Sequence, residues 1–257
     1  MLEIPYSVGL ILTLYAGLYD LKTSDVQEEV PFLLISIGLF YWLITSLIYS
    51  DFTYFINSIS TGILALITGL SIYCLKLWGD GDAWILGGLG FLIPAIFFEY
   101  VVNLVIVGAV YSLIYVIIYG IFNKRVKKIF KKELKKHRSS IFVITIMPFL
   151  ILFISLTVLP IPILFVTYFL LISLIPLLYI YLKSVESGMI KKIPTCRLRE
   201  GDVLVGAKIA GLTKRDIEKL KRTKKYVKIQ NGIRYVLVFF ISLLINYFVG
   251  NLFLLFH

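Results

Sequence analysis

The chain of 257 residues contains only two histidines, His137 and His257, and two cysteines, Cys74 and Cys196. One histidine lies in a basic stretch and the other is the last residue, so no imidazole stands where it could activate a serine within an apolar run, and the HExxH pattern of zinc hydrolases is missing. Cys74 lies in an apolar run and Cys196 in a polar one, which supplies neither a disulfide framework nor a thiolate metal site. Charge is scarce too, at 16% of residues, whereas 59% are apolar and the mean hydropathy is +0.92. A single water-soluble domain cannot bury that proportion of apolar side chains, which leaves a membrane protein.

A bilayer core about 30 Å thick takes roughly 17 to 25 apolar helical residues. Eight runs come near that requirement, at 4–19, 31–49, 54–77, 83–98, 101–122, 141–158, 163–182 and 233–256. The first has no basic flank before it and no small-residue cleavage site after it, and is expected to be retained as a span. Basic residues outnumber acidic ones by 26 to 15, and their positions decide the orientation. Lys22 falls in the first connection and Lys76 beside the third run, with nine more in Lys124–Arg138 and fifteen between Lys183 and Arg234. If eight helices alternate in direction, all of these share one face. The opposite connections, near Ser50–Thr53, Glu99–Asn103 and Leu159–Pro162, carry no Lys or Arg. By the positive-inside rule the basic face is cytoplasmic and both termini are outside. The Lys124–Arg138 cluster then reads as an orientation signal lying on anionic lipid headgroups, in preference to a nucleic-acid site. A six-span alternative, with 83–122 and 141–182 each crossing once around a break at Pro94 or Pro160, puts the nine-charge loop outside.

The expected fold class is therefore an all-α polytopic membrane protein of eight spans, six being the alternative, with a small cytoplasmic α+β module before the last helix. Its parts are a membrane core over 1–122, a basic cytoplasmic loop over 123–140, two further spans over 141–183, the module over 184–232 and a final span over 233–257. Within the module, Gly201–Val205 and Tyr226–Ile229 read as strands. Between them a helix begins after Thr213, whose hydroxyl and Asp216 have the spacing of a capping box. Asn231-Gly232 turns the chain back into the last span.

With histidine and cysteine chemistry excluded, carboxylates remain, and sidedness sorts them. Glu3, Asp51 and Glu99 fall toward the outer face, while Asp20, Asp25, Glu28, Glu29, Asp80 and Asp82 fall on the cytoplasmic side. Asp20 closes the apolar run of the first span and Asp82 opens that of the fourth, depths at which ionisation is costly. Taken singly, each is a helix-end acid, Asp20 near Lys22 and Asp82 on the favourable end of a helix dipole. As a pair they meet the needs of an aspartyl hydrolase. Two carboxyl groups about 3 Å apart do not both ionise easily, so the charged one activates a water while the neutral one protonates or polarises the scissile carbonyl. Gly79-Asp80-Gly81-Asp82 fits the pattern GxGD, whose glycines admit unusual backbone conformations and close approach of a substrate strand. Ala83, Gly87, Gly88 and Gly90 give the following helix a small-residue surface expected to pack against Ala16 and Gly17 beside Asp20. Pro94 is expected to break that helix after about three turns.

At these residues the sequence resembles the GxGD membrane aspartyl peptidases, and most of all the archaeal preflagellin and type IV prepilin peptidases. The resemblance rests on "YDLKTSDV" at Tyr19–Val26, "GDGDAWILGGLGFLIP" at Gly79–Pro94 and "LREGDVLVGAKIAGLTKRDIEKLKR" at Leu198–Arg222. It implies Asp20 and Asp82 as the catalytic pair, with Gly79, Asp80 and Gly81 as the active-site loop. It further implies a substrate of the pilin or archaellin precursor type, whose short basic leader is removed on the cytoplasmic side of the cell membrane, with no metal and no organic cofactor. The sequence departs from the pattern in lacking the Ile-Pro-Asn ending of the bacterial enzymes and in carrying Ala83-Trp84 where a lysine often follows the GxGD aspartate; the missing four-cysteine zinc loop and the C-terminal module point to the archaeal branch. A basic leader meeting a basic membrane face needs local acids, and Asp25, Glu28 and Glu29 are expected to receive it. The runner-up reading is a proton-coupled transporter with buried carboxylates as relay groups. Such a carrier should carry inverted repeats and midplane acids, and the sequence has neither signal. A purely structural anchor would leave both aspartates dispensable.

Overall fold

The computed structural model describes residues 2–75, 77–139, 146–147, 150, 153, 163–198, 200–206, 211–230, 232–252 and 254. The expected span at 141–158, the connection at 159–162, Lys76 and the first half of the Asn231-Gly232 turn lie wholly or almost wholly outside them. The elements in chain order are α1 (Glu3–Thr23), α2 (Glu29–Tyr49), α3 (Thr53–Cys74), α4 (Asp80–Leu92), a 3-10 turn at Pro94–Ile96, α5 (Phe97–Phe122), α6 (Lys124–Lys136) and α7 (Ile163–Met189). Strand β1 (Ile190–Pro194), a 3-10 turn at Thr195–Arg197, β2 (Val203–Leu204), α8 (Lys214–Thr223), β3 (Tyr226–Gln230) and α9 (Leu237–Val249) complete the chain. Among the described residues, four helical stretches are long and apolar enough to cross a bilayer: Glu3–Thr23, Glu29–Tyr49, Thr53–Cys74 and Pro94–Phe122. The fourth and last expected spans form shorter helices, α4 and α9 having 13 residues each.

The chain divides into two compact units, one comprising Met1–Leu113, Pro194–Val227 and Gly232–His257, the other Ile114–Ile193 and Lys228–Asn231. In the first unit the long helices turn small and polar residues inward beside a few large apolar ones, and leave many large apolar residues facing outward. On α2, Leu34, Gly38, Trp42, Thr45 and Ser46 are buried, while Phe32, Phe40, Ile44 and Ile48 are exposed. Lipid tails are as apolar as leucine, so close packing and hydrogen bonds, more than exclusion of water, hold such helices together.

Helix α4 is the centre of this packing. Ile85, Leu89, Leu92 and Ile93 are wholly buried. Its small residues do not meet Gly17, against which the sequence leads one to expect them. They receive α2 and α3: Gly88 lies against Leu34, Gly90 against Ala65 and Thr61, Gly87 against Leu66, and Ala83 against Gly69. Gly17 instead packs on the backbone of Leu237, where an added Cβ would lie 2.9 Å from its Cα. The apolar pattern marks which face is small but does not name its partner. The glycines on both sides of the α3–α4 contact, Gly62 and Gly69 facing Phe91 and Ala83, make this the closest approach available.

Contacting pairs also give each helix its direction. Gly17 and Gly9 of α1 meet Leu237 and Leu243 of α9, and the Tyr6 hydroxyl donates to Asn246 Oδ1 at 2.5 Å, so α1 and α9 are antiparallel. Ala83 lies at Gly69, whereas the Phe91 carbonyl accepts from the Ser58 hydroxyl at 2.7 Å, so α4 runs against α3. Asn103 donates to the Gly250 carbonyl at 2.7 Å and Tyr111 to the Arg234 carbonyl at 2.8 Å, which sets α5 antiparallel to α9. The end of α4 is level with Gly9, which its Leu89 and Leu92 touch, and α5 starts from that end and returns. Pro94 therefore terminates α4 at a reversal of the chain.

The basic stretch over 123–140, expected as a loop, folds mainly as helix α6. Asn123 caps it, its Oδ1 accepting from the Arg125 and Val126 N–H groups at 2.9 and 3.4 Å. The apolar residues of "KRVKKIFKKELKK" recur at helical spacing, and within the second unit Val126 is buried against Gly188 while Phe130 meets the Tyr181 ring edge-on. Helix α7 also outruns the expected span, reaching Met189, and leads directly into β1, a strand not foreseen from the sequence. Among the described residues there is one small three-stranded sheet. The module's helix begins as expected: Thr213 N–H donates to Asp216 Oδ2 at 3.1 Å and Asp216 N–H to the Thr213 hydroxyl at 3.3 Å. The Thr213 hydroxyl, donating to the same carboxyl, holds Asp216 below the ordinary carboxylate range.

Candidate active site

Helix α1 continues past the apolar run to Thr23, so Asp20 lies in its last turn instead of after it. Ser24 ends the helix in the left-handed conformation, φ 58°, with its N–H bonded to the Asp20 carbonyl at 2.8 Å. Asp82 is the third residue of α4, in the first turn. The Gly79 N–H donates to its Oδ2 at 3.1 Å, which pins the carboxyl to the loop that carries it. Because α1 and α4 are antiparallel, with Leu89 and Leu92 at Gly9, both acids come toward one end of the bundle.

Both acids are buried, Asp20 retaining 6% exposure and Asp82 9%. Asp20 Oδ2 accepts from the Val236 N–H at 3.3 Å, at the entry to α9. Asp82 Oδ1 is buried and, among the described residues, has no hydrogen-bond partner. A buried carboxyl oxygen without a partner is costly in a finished core, whereas at a reaction centre it is the atom left open for a water or a peptide group. The surroundings add a wall of aromatic rings: Trp78 lies 5.6 Å from Tyr235 and 5.7 Å from Phe239, centroid to centroid.

The remaining expected site residues lie on the rim. Gly79 has φ −74° and ψ 162°, an ordinary extended conformation, and Gly81 is helical, so neither position needs glycine for its backbone angles. Gly81 is required for space, since a Cβ there would lie 2.5 Å from the Val26 side chain. That contact seats the α1–α2 connection against the GDGD loop. Asp80 is exposed and its Oδ1 accepts from the Gly81 N–H at 2.9 Å, and exposed Asp25 accepts likewise from Val26 at 2.9 Å. Glu28 and Glu29 are exposed at the start of α2, beyond Val26. Among the described residues no group of three or more His, Cys, Asp or Glu side chains is arranged to hold a metal ion.

Four neighbours of the pair were not legible as site residues: Trp78, Arg234, Tyr235 and Val236. In the sequence Arg234-Tyr235 reads as a cytoplasmic charge and an interfacial aromatic at the mouth of the last span, and a backbone N–H such as that of Val236 leaves no sequence signal at all.

Two known proteins resemble the chain. Over 91 residues, 35% of this chain, it is 36% identical to the preflagellin peptidase of Methanocaldococcus jannaschii and 28% identical to that of Methanococcus maripaludis. The match spans 38% of the first relative and 39% of the second, less than two thirds of either. No family model and no solved structure matches. These two likenesses over a third of the chain support the preflagellin peptidase family as its kin.

Proposed function

We propose that this protein is a membrane aspartyl endopeptidase of the GxGD type that removes short basic leaders from archaellin or pilin-like precursors at the cytoplasmic membrane face. The observation that supports the reading is that two buried acids, Asp20 in the last turn of α1 and Asp82 in the first turn of the antiparallel α4, lie toward the same end of the bundle, each with one oxygen held by a backbone N–H. In the reaction, one carboxylate takes a proton from a water poised between the pair, and that water attacks the scissile carbonyl carbon. The other carboxyl, protonated, donates to the carbonyl oxygen; as the C–N bond breaks, the first passes the water's proton to the leaving amine and the second takes back a hydroxyl proton, which restores the starting pair. The unpartnered Asp82 Oδ1 is the atom free to carry that donated proton.

The topology proposed with this reading is eight alternating spans, α4 and α9 among them, with the acid-bearing end of the bundle facing the cytoplasm. The reversal at Pro94 supports it, because it lets α4 leave and α5 return. The substrate's basic leader reaches Asp25, Glu28, Glu29 and Asp80 at the rim while its hydrophobic helix stays in the bilayer. The test is incubation of the reconstituted protein with candidate precursors, followed by mass determination of the new N-terminus. A single cut before the hydrophobic helix, lost in Asp20→Asn and Asp82→Asn, supports the proposal; proton-coupled solute uptake without cleavage would overturn it.

A further inference from the structure

Resting on the peptidase reading, we infer that Arg234 is a positioning residue for Asp20, locking the last turn of α1 to the entry of α9. Its guanidinium donates to the Leu21 carbonyl and, through Nε, to the Ser24 hydroxyl at 3.0 Å. Leu21 immediately follows Asp20, and Ser24 is the left-handed cap whose N–H closes on the Asp20 carbonyl. Two residues further on, the Val236 N–H donates to Asp20 Oδ2. A three-residue segment, Arg234–Val236, therefore grips the turn of α1 on its backbone and the acid on its carboxyl, from a place more than 200 residues away in the chain.

The chemistry explains why arginine stands there. The last carbonyls of a helix have no intrahelical donor, and here one is met by a planar donor that can serve two acceptors at once. Tyr111, whose hydroxyl donates to the Arg234 carbonyl at 2.8 Å, ties the same residue to α5, so its backbone is held as well as its side chain. Lysine keeps the charge but presents a point donor instead of a fork. Loss of the fork frees the end of α1 to rotate or fray, and a displacement near 1 Å at a reacting group costs about 100-fold in rate. Arg234 touches α1 and not the expected path of the leader, so the loss falls on kcat and not on KM.

The experiment measures kcat, KM and the thermal midpoint of the full-length protein in detergent, using one precursor, for the wild type, Arg234→Gln, Arg234→Lys and Ser24→Ala. The inference expects Arg234→Gln to lower kcat about 10- to 100-fold with KM within about twofold, Arg234→Lys to recover part of the loss, and Ser24→Ala to give a smaller drop of the same kind. Wild-type kcat in Arg234→Gln overturns it, as does a rise in KM at constant kcat. If Arg234→Gln fails to fold, Arg234→Lys decides: reduced kcat at an unchanged midpoint supports the inference, full activity overturns it. A wild-type protein that cuts no precursor defeats the peptidase reading and this inference with it, whereas a cutting wild type with indifferent Arg234 variants defeats the inference alone.

Discussion

Replacing Asp82 with Asn is the substitution in which structure and chemistry separate most cleanly. The amide keeps an oxygen to accept the Gly79 N–H, now bonded to Asp82 Oδ2 at 3.1 Å, so the first turn of α4 keeps its tie and the fold is expected to change by no more than about 1 kcal/mol. What the amide lacks is a group that can shuttle a proton at the position of the unpartnered Oδ1. A positioned general acid or base contributes about 100- to 10,000-fold, and two acids serving one water act as a unit, so removing either leaves the other without its partner. Asp20→Asn, Asp82→Asn and the double variant should therefore all lower kcat by about 1,000-fold or more and by similar factors, because losses within such a unit do not add. Asp80→Asn should keep kcat within a few-fold of wild type, since Asp80 is exposed on the rim and its Oδ1 accepts from its neighbour Gly81. The assay is leader removal from a purified precursor in detergent, followed by gel shift and mass spectrometry, with thermal midpoints recorded for every variant. Abolition of cleavage by Asp80→Asn with Asp82→Asn still active would refute the assignment. A double variant that loses the product of the two single factors would show the acids working independently, against a shared water.

Three further outcomes are expected. Charge reversal at both rim acids, Glu28→Lys with Glu29→Lys, should raise KM for a basic leader about threefold or more at low salt, with the effect shrinking as salt screens it; equal KM at all salt concentrations would remove these residues from leader binding. Gly69→Ala should lower the thermal midpoint, because its Cβ would lie 2.8 Å from the Ala83 carbonyl oxygen and such overpacking costs about 1–3 kcal/mol, whereas Gly232→Ala, with open space around it, should not; matching midpoints would mean the α3–α4 contact is looser than described. With Cys74 and Cys196 first replaced, single cysteines at positions 25 and 80 should react with a membrane-impermeant maleimide only from the cytoplasmic side, and one at position 51 only from the outside. Labelling of 25 and 80 from opposite faces would end the proposed topology.

Features set by neighbouring residues were the ones legible beforehand. The capping box at Thr213 and Asp216 is a three-residue relation, and it forms as read. The stop at Pro94 follows from a missing N–H and a ring that cannot continue a helix. Helix α6 was misread because a dense run of lysines looks like a solvated loop, although Val126 and Phe130 sit one turn apart and supply a face to bury. Strand β1 was missed because its five residues, Ile190–Pro194, adjoin an apolar helix and carry two lysines. The small-residue surface of α4 was recognised as a packing face, but α2 and α3 claim it in place of α1, since one helix's glycines fit any partner that offers a matching ridge.

Composition, periodicity and charge placement by themselves determined that apolar helices dominate the chain, that its cations are segregated, and that carboxylates are the chemistry on offer. They also marked Asp20 and Asp82 as acids at helix ends, because a motif and an apolar boundary are local. Only the tertiary structure decided which atoms surround them: the Val236 N–H on Asp20, the Arg234 fork on the end of α1, the bare oxygen of Asp82 and the Val26 side chain filling the space at Gly81. The physical reason is that helices packed by shape carry no record of their partners in their own sequence, so contacts such as Val236 to Asp20, 216 residues apart, and Tyr6 to Asn246, 240 apart, exist only once the bundle has closed.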